Sequence, residues 1–198
     1  SMNFGSAFSF VFQDPDWIKK VLIAALISLI PVIGQIYLLG WGLVITKRVI
    51  AGEGMPQLPE TDFGGHLGMG FKAIVVSFVY TLPIYIIMAP MMIATSVLPG
   101  MDMDADTAGI VITVVSVCCG SIAALYGILL NFLLPAALGN MVAKGTIGAG
   151  LRFGEVFGLV KSAPVAYLIT ILGVILAGLV ASLGTIACGI GVLVTLPY

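Results

Sequence analysis

Three aspartates in alternation, Asp102, Asp104 and Asp106, copy the opening of a calcium-binding loop. Such a loop also needs a Gly at its sixth position and a bidentate Glu at its twelfth. Those places hold Thr107 and Thr113, so the triplet reads as a solvated acidic turn. His66 is the only histidine. It follows Gly64 and Gly65 with no second His or Cys at ligand spacing, so no metal site is expected. Cys118, Cys119 and Cys188 lie inside apolar runs, where a thiol serves as a small filler. The tetrapeptide at residues 58–61, LPET, resembles a sortase signal, but Asp62 stands where Gly is required. There is no Ser/His/Asp set, Walker loop or HExxH pattern. The sequence therefore predicts no catalytic residue, no cofactor and a non-enzymatic protein.

The remaining polar groups sit at depth in apolar sequence. Gln35, Asn131, Tyr80 and Tyr126 are the candidates to line a path for a solute. Asn131 stands out, because Pro135 four residues later cannot donate to its carbonyl. Pro31, Pro83 and Pro90 free the carbonyls of Ile27, Val79 and Ile86 in the same way. These four proline breaks resemble the interrupted helices that line transporter sites. The competing reading is that Asn and Gln act as interhelical hydrogen-bonding glue. No Asp, Glu, Lys or Arg lies within the apolar stretches, which disfavours a proton-coupled or voltage-driven mechanism.

The elements that must position these groups are membrane helices. Of 198 residues, 60% are hydrophobic and 9% charged, against about 25% charged in ordinary soluble domains. The net charge of −1 offers nothing to a nucleic acid. Apolar sequence fills residues 21–46, 73–98, 108–138 and 164–198. The expected architecture is an all-α polytopic bundle in a single transmembrane domain. Residues 73–98 and 108–138 read as two clear spans; the other two stretches read as long broken segments. Residues 51–70, rich in Gly and Pro, read as an ordered loop. Residues 145–163 place Phe153, Val156, Phe157 and Val160 on one helical face between charges, which suggests an amphipathic interfacial helix. Phe4, Phe8 and Phe12 suggest another. A Gly-rich bundle of this size can also self-associate, so a homo-oligomer is among the expected assemblies.

Charge sets the expected topology. The 8 basic residues include Lys19, Lys20, Lys47, Arg48, Lys72, Lys144, Arg152 and Lys161, and none falls in the acidic turn at 99–107. The positive-inside rule puts 99–107 outside and loops 47–72 and 144–163 in the cytoplasm. If residues 21–46 crossed the membrane, Lys19 and Lys20 would lie outside, against the rule. A hairpin broken at Pro31 and Gly34 would bring both basic pairs inside, with arms of about 10 and 12 residues. A single shift also superimposes Phe4, Phe8, Pro15, Gly40 and Gly42 on Phe153, Phe157, Pro164, Gly189 and Gly191, which suggests an internal repeat of 4–50 and 153–198.

The stretch LPETDFGGHLGMGFK contains Leu58, Pro59, Glu60, Asp62, Phe63, Gly64, Gly70, Phe71 and Lys72, and with RFGEVFGLVKSAP and the terminal GVLVTLPY it resembles the prokaryotic membrane family catalogued as domain of unknown function 4013. Thr61 departs from that pattern, where an aromatic residue is common. The resemblance implies a multi-pass protein of a prokaryotic inner membrane, and members that continue past the LPY imply that this chain stops short. It brings no activity. Two expectations remain: a carrier or channel-like protein for a small, weakly charged or apolar solute, or a lipid-binding, membrane-organising protein acting through its Phe-bearing interfacial helices. Membrane lipids are the expected partners of either.

Overall fold

The computed structural model describes residues 11–53 and 58–186, with side chains described as far as residue 179. Its regular structure is helical, with no strand among the described residues. The order is α1 (Trp17–Ser28), α2 (Ile33–Ile50), α3 (Phe63–Val97), a 3-10 turn (Leu98–Gly100), α4 (Ala105–Lys144), α5 (Ile147–Gly150), α6 (Phe153–Ser162) and α7 (Pro164–Ile186).

The first apolar stretch is broken where Pro31 removes a backbone donor. Leu29 and Ile30 close α1 with tightened bonds to the carbonyls of Leu26 and Ile27. Ile33 N–H then donates to the Pro31 carbonyl at 2.7 Å, across Val32 at φ 65 and ψ −59. That is a γ-turn in its strained form, built on a β-branched residue. Gly34 sits where a Cβ would run into the Ile27 carbonyl and Ser28 backbone. The glycine thus admits the end of α1, beyond any weakening of the helix.

Two observations show that the chain folds back at this break. Val21 and Ala24 of α1 share an apolar cluster with Tyr37 and Trp41 of α2, closed by Val11 and Leu58. Lys20 Nζ donates to the Leu58 carbonyl at 3.0 Å, while Trp41 Nε1 donates to the next carbonyl, Pro59, at 3.4 Å. In one straight helix, residues 20 and 41 would stand about 31 Å apart. The second arm is longer than expected. α2 has 18 residues, about 27 Å, and is itself long and apolar enough to cross a membrane, as are Phe63–Gly100 and Ala105–Lys144.

α3 begins inside the sequence expected to be loop. The Asp62 carboxylate caps it, accepting from Gly65 N–H at 2.9 Å. Glycines discourage an isolated helix, but here Gly40 and Gly70 mark the point where α2 crosses α3. A Cβ on Gly40 would strike the His66 carbonyl, and one on Gly70 the Ile36 carbonyl. Tertiary contact therefore overrides local propensity.

α3 and α4 form the long antiparallel hairpin. Asp104 caps α4 through Thr107 N–H at 2.8 Å, and Gly145 at φ 72 ends it in the left-handed region. Pro83, Pro90 and Pro135 lie inside helices that continue through them, so of the four prolines only Pro31 stands in a break. In the turn before Pro83, the Tyr80 carbonyl receives the Tyr126 hydroxyl at 2.8 Å. The core lies toward one end of this hairpin, where Ala73, Val76 and Tyr80 meet Ala136, Ala137, Met141 and Val156. The far half, including Ile86, Ile93, Val114 and Leu125, is exposed.

α6 and α7 meet at 92° at Ala163. α7 runs without a break through Val180, the position that the proposed repeat aligns with Pro31. The two halves therefore differ there. Phe4, Phe8, Gly189 and Gly191 lie outside the described residues.

Candidate functional site

The richest polar cluster lies where α4 ends and the chain turns through α5 into α6. Gly145 reverses the chain and leaves its carbonyl to Lys72 Nζ at 3.2 Å. α5 then returns beneath α4, and the buried Asn140 donates to the Ala149 carbonyl at 2.8 Å and to Glu155 Oε2 at 3.2 Å. Glu155 is also held by Lys144 Nζ at 2.5 Å and Arg152 Nη1 at 3.0 Å. The hydrogen bonds from Lys144, Arg152 and Asn140 pull its carboxyl down to about 2. Glu155 is thus an anion across the working pH range, and it ties α6 to α4.

Tyr80 completes the corner from α3. Its buried hydroxyl donates to the Gly150 carbonyl at 3.0 Å, and its ring lies 4.9 Å from that of Phe153. Outward, Phe153 and Phe157 are 57% and 46% exposed, and Lys161 Nζ stands 4.9 Å over the Phe157 ring. A helix at right angles to a membrane-length helix, with apolar rings outward, Lys144 and Arg152 on Glu155 and Lys161 over Phe157, has the composition of an interfacial element. It can attract anionic headgroups and insert aromatic rings among them.

The residues expected to line a path are not brought to one place. Tyr80 and Tyr126 do meet, with both hydroxyls committed to backbone carbonyls. Gln35 and Asn131 are exposed on the outside of the bundle. The Asn131 amide donates to the Gly127 carbonyl of its own helix at 2.8 Å. The structure also reveals polar clusters that the sequence did not single out. Asn140 lay just past the apolar run, and nothing in its spacing to Glu155 advertised their contact.

A second cluster fixes the start of α1. Asp14 is buried; its Oδ2 accepts from Lys20 Nζ at 2.7 Å and from Leu58 N–H at 3.0 Å. Burial pushes the Asp14 carboxyl up, but Lys20 and the amides of Asp16 and Leu58 outweigh it and hold it below its ordinary value. His66, also buried, packs T-shaped against the Tyr37 ring, and its Nδ1 has no partner among the described residues. Among those residues no group of His, Cys, Asp and Glu could hold a metal ion.

A family model described as Protein of unknown function (DUF4013) matches residues 23–190. The chain belongs to the DUF4013 family. The match runs from within α1, through the break and both long helices, and past Ile186, where α7 ends. The polar corner of this DUF4013 protein falls inside the matched region, and the Asp14–Lys20 cluster precedes it. No curated protein matches the chain, and no solved structure does.

Proposed function

We propose that this is a non-enzymatic integral membrane protein that binds and organises lipid at its basic face. One observation carries the reading: α6 turns 92° from α7 while exposing Phe153 and Phe157 beside Lys144, Arg152 and Lys161. Lipid is then its principal partner. By the positive-inside rule that face is cytoplasmic, Asp102–Asp106 lie outside, and the membrane is a prokaryotic inner membrane. In nanodiscs mixing phosphatidylglycerol and phosphatidylcholine, native mass spectrometry of the full chain should show retained phosphatidylglycerol above its bulk fraction. The double variant Phe157→Ser, Lys161→Gln should lose most of that enrichment. If wild type and variant retain the two lipids alike, the reading fails.

The carrier reading, with Gln35, Asn131, Tyr80 and Tyr126 along a solute path, draws less support. Its two amides face outward and its two hydroxyls already bond to backbone carbonyls. Solute flux into proteoliposomes that Asn131→Leu abolishes, with the fold kept, would restore it.

A further inference from the structure

Beside the Asp14 cluster, a groove of about 430 Å³ is lined, among the described residues, by Pro15, Asp16, Ile18, Lys19, Leu22 and Ile23. That volume is at the small end of ligand pockets, enough for a headgroup and the upper part of one acyl chain. Its two charges are uncommitted among the described residues. Lys20 is the member of the basic pair that Asp14 and the Leu58 carbonyl hold. Lys19 and Asp16 are both exposed, and neither side chain has an ion pair among the described residues. Asp16 precedes α1 but makes no side-chain capping bond. Below the rim, Ile18, Leu22 and Leu26 are exposed at 57%, 54% and 64%, one above the next on a single face at four-residue spacing. The groove therefore has an acid and a base at its mouth and an apolar track about 12 Å long leading from it.

We propose that this groove is a headgroup site for a phospholipid bearing a primary amine. Lys19 holds the phosphate, Asp16 holds the ammonium, and an acyl chain lies along Ile18, Leu22 and Leu26. Charge complementarity selects this occupant. An anionic headgroup without an amine would leave Asp16 facing negative charge. A quaternary ammonium has no N–H to donate, and so forgoes the charge-assisted hydrogen bonds that a primary ammonium makes with a carboxylate. The inference rests on the membrane placement of α1 and α2, not on lipid binding by α6.

The test uses the full chain in nanodiscs of equimolar phosphatidylethanolamine and phosphatidylcholine, with retained lipids counted by native mass spectrometry. Wild type is expected to retain the ethanolamine lipid by about threefold to tenfold over the choline lipid. Asp16→Asn should bring the two to parity, and Lys19→Gln should lower retention of both. Neither substitution touches a buried group, so an unchanged melting temperature in detergent serves as the folding control. Phe157→Ser with Lys161→Gln should leave the ethanolamine preference intact while reducing phosphatidylglycerol retention, which separates this site from α6. Equal retention of the two zwitterionic lipids by wild type, or a preference that survives Asp16→Asn, overturns the proposal.

Discussion

Val32 and Gly40 show how single residues set the shape of the first helical pair. Val32 carries φ 65 with its side chain 70% exposed, so its β-branch adds strain and little packing. Val32→Gly should relieve that strain and raise stability by about 1 kcal/mol, after allowing for the extra backbone freedom of Gly. Thermal unfolding in detergent would read this as a rise of a few degrees, and a fall would mean the turn does not need a positive φ. Gly40 and Gly42 make a sharper pair, since both belong to the same G-x-G. A Cβ at Gly40 would strike the His66 carbonyl and Gly70 amide, whereas at Gly42 it meets nothing within 4 Å. Gly40→Ala should therefore cost about 1–3 kcal/mol through overpacking, and Gly42→Ala should be neutral or stabilising by up to about 1 kcal/mol. Equal melting temperatures for the two variants would remove the case for a tight crossing. The sequence displayed both glycines, but only the path of α3 distinguishes them.

At the scale of elements, α6 is held to the bundle by Tyr80, Phe153 and the bonds converging on Glu155. The Glu155 carboxyl, ordinarily near 4.5, is drawn to about 2, so the unfolded chain takes up its proton first as pH falls. Its contribution is complete above the ordinary value and is lost as pH drops from there towards about 2. Protease sensitivity of the α5–α6 corner should rise over that interval, and Glu155→Gln should give a corner already loosened at neutral pH with a flatter profile. A variant whose pH profile matches that of wild type would show that the three donors do not secure α6. The helix α6 was legible in the sequence because its apolar residues recur at helical spacing among charges. The break at Pro31 was legible because proline removes a donor. The start of α3 was not: glycine density at residues 64–70 argues for loop, and only the approach of α2 explains the helix. Nor was the length of α2, since Gly34 pointed to a short arm and instead receives the end of α1. The polar corner joins residues 72, 80, 140 and 155 from three helices, contacts that no local pattern encodes.

Over the whole molecule, charge and burial run along the same axis. Lys20 reaches Leu58, just ahead of α3, and Lys72 reaches Gly145 just beyond α4. Arg152 joins Lys144 on Glu155 at that same end. Asp102, Asp104 and Asp106 occupy the opposite turn of the hairpin, beyond a half whose side chains are apolar and exposed. Such a surface suits hydrocarbon, where helices satisfy most of their backbone groups internally. Two levels of sidedness follow. Because the Lys20 end of α1 is docked on the loop that follows α2, single cysteines at Lys19 and Glu53 must share one side of the membrane, whichever side that is. The charge rule predicts that this side is the cytoplasm and that a cysteine at Met103 lies outside. With Cys118, Cys119 and Cys188 replaced by Ala, an impermeant thiol reagent should label Met103→Cys in intact cells. It should reach Lys19→Cys and Glu53→Cys only after permeabilisation. Labelling of all three reversed would overturn the orientation alone. Labelling of Lys19→Cys without Glu53→Cys would undo the folded-back pair itself, because a chain that turns at Val32 and rests Lys20 on Leu58 cannot divide those two positions across a bilayer.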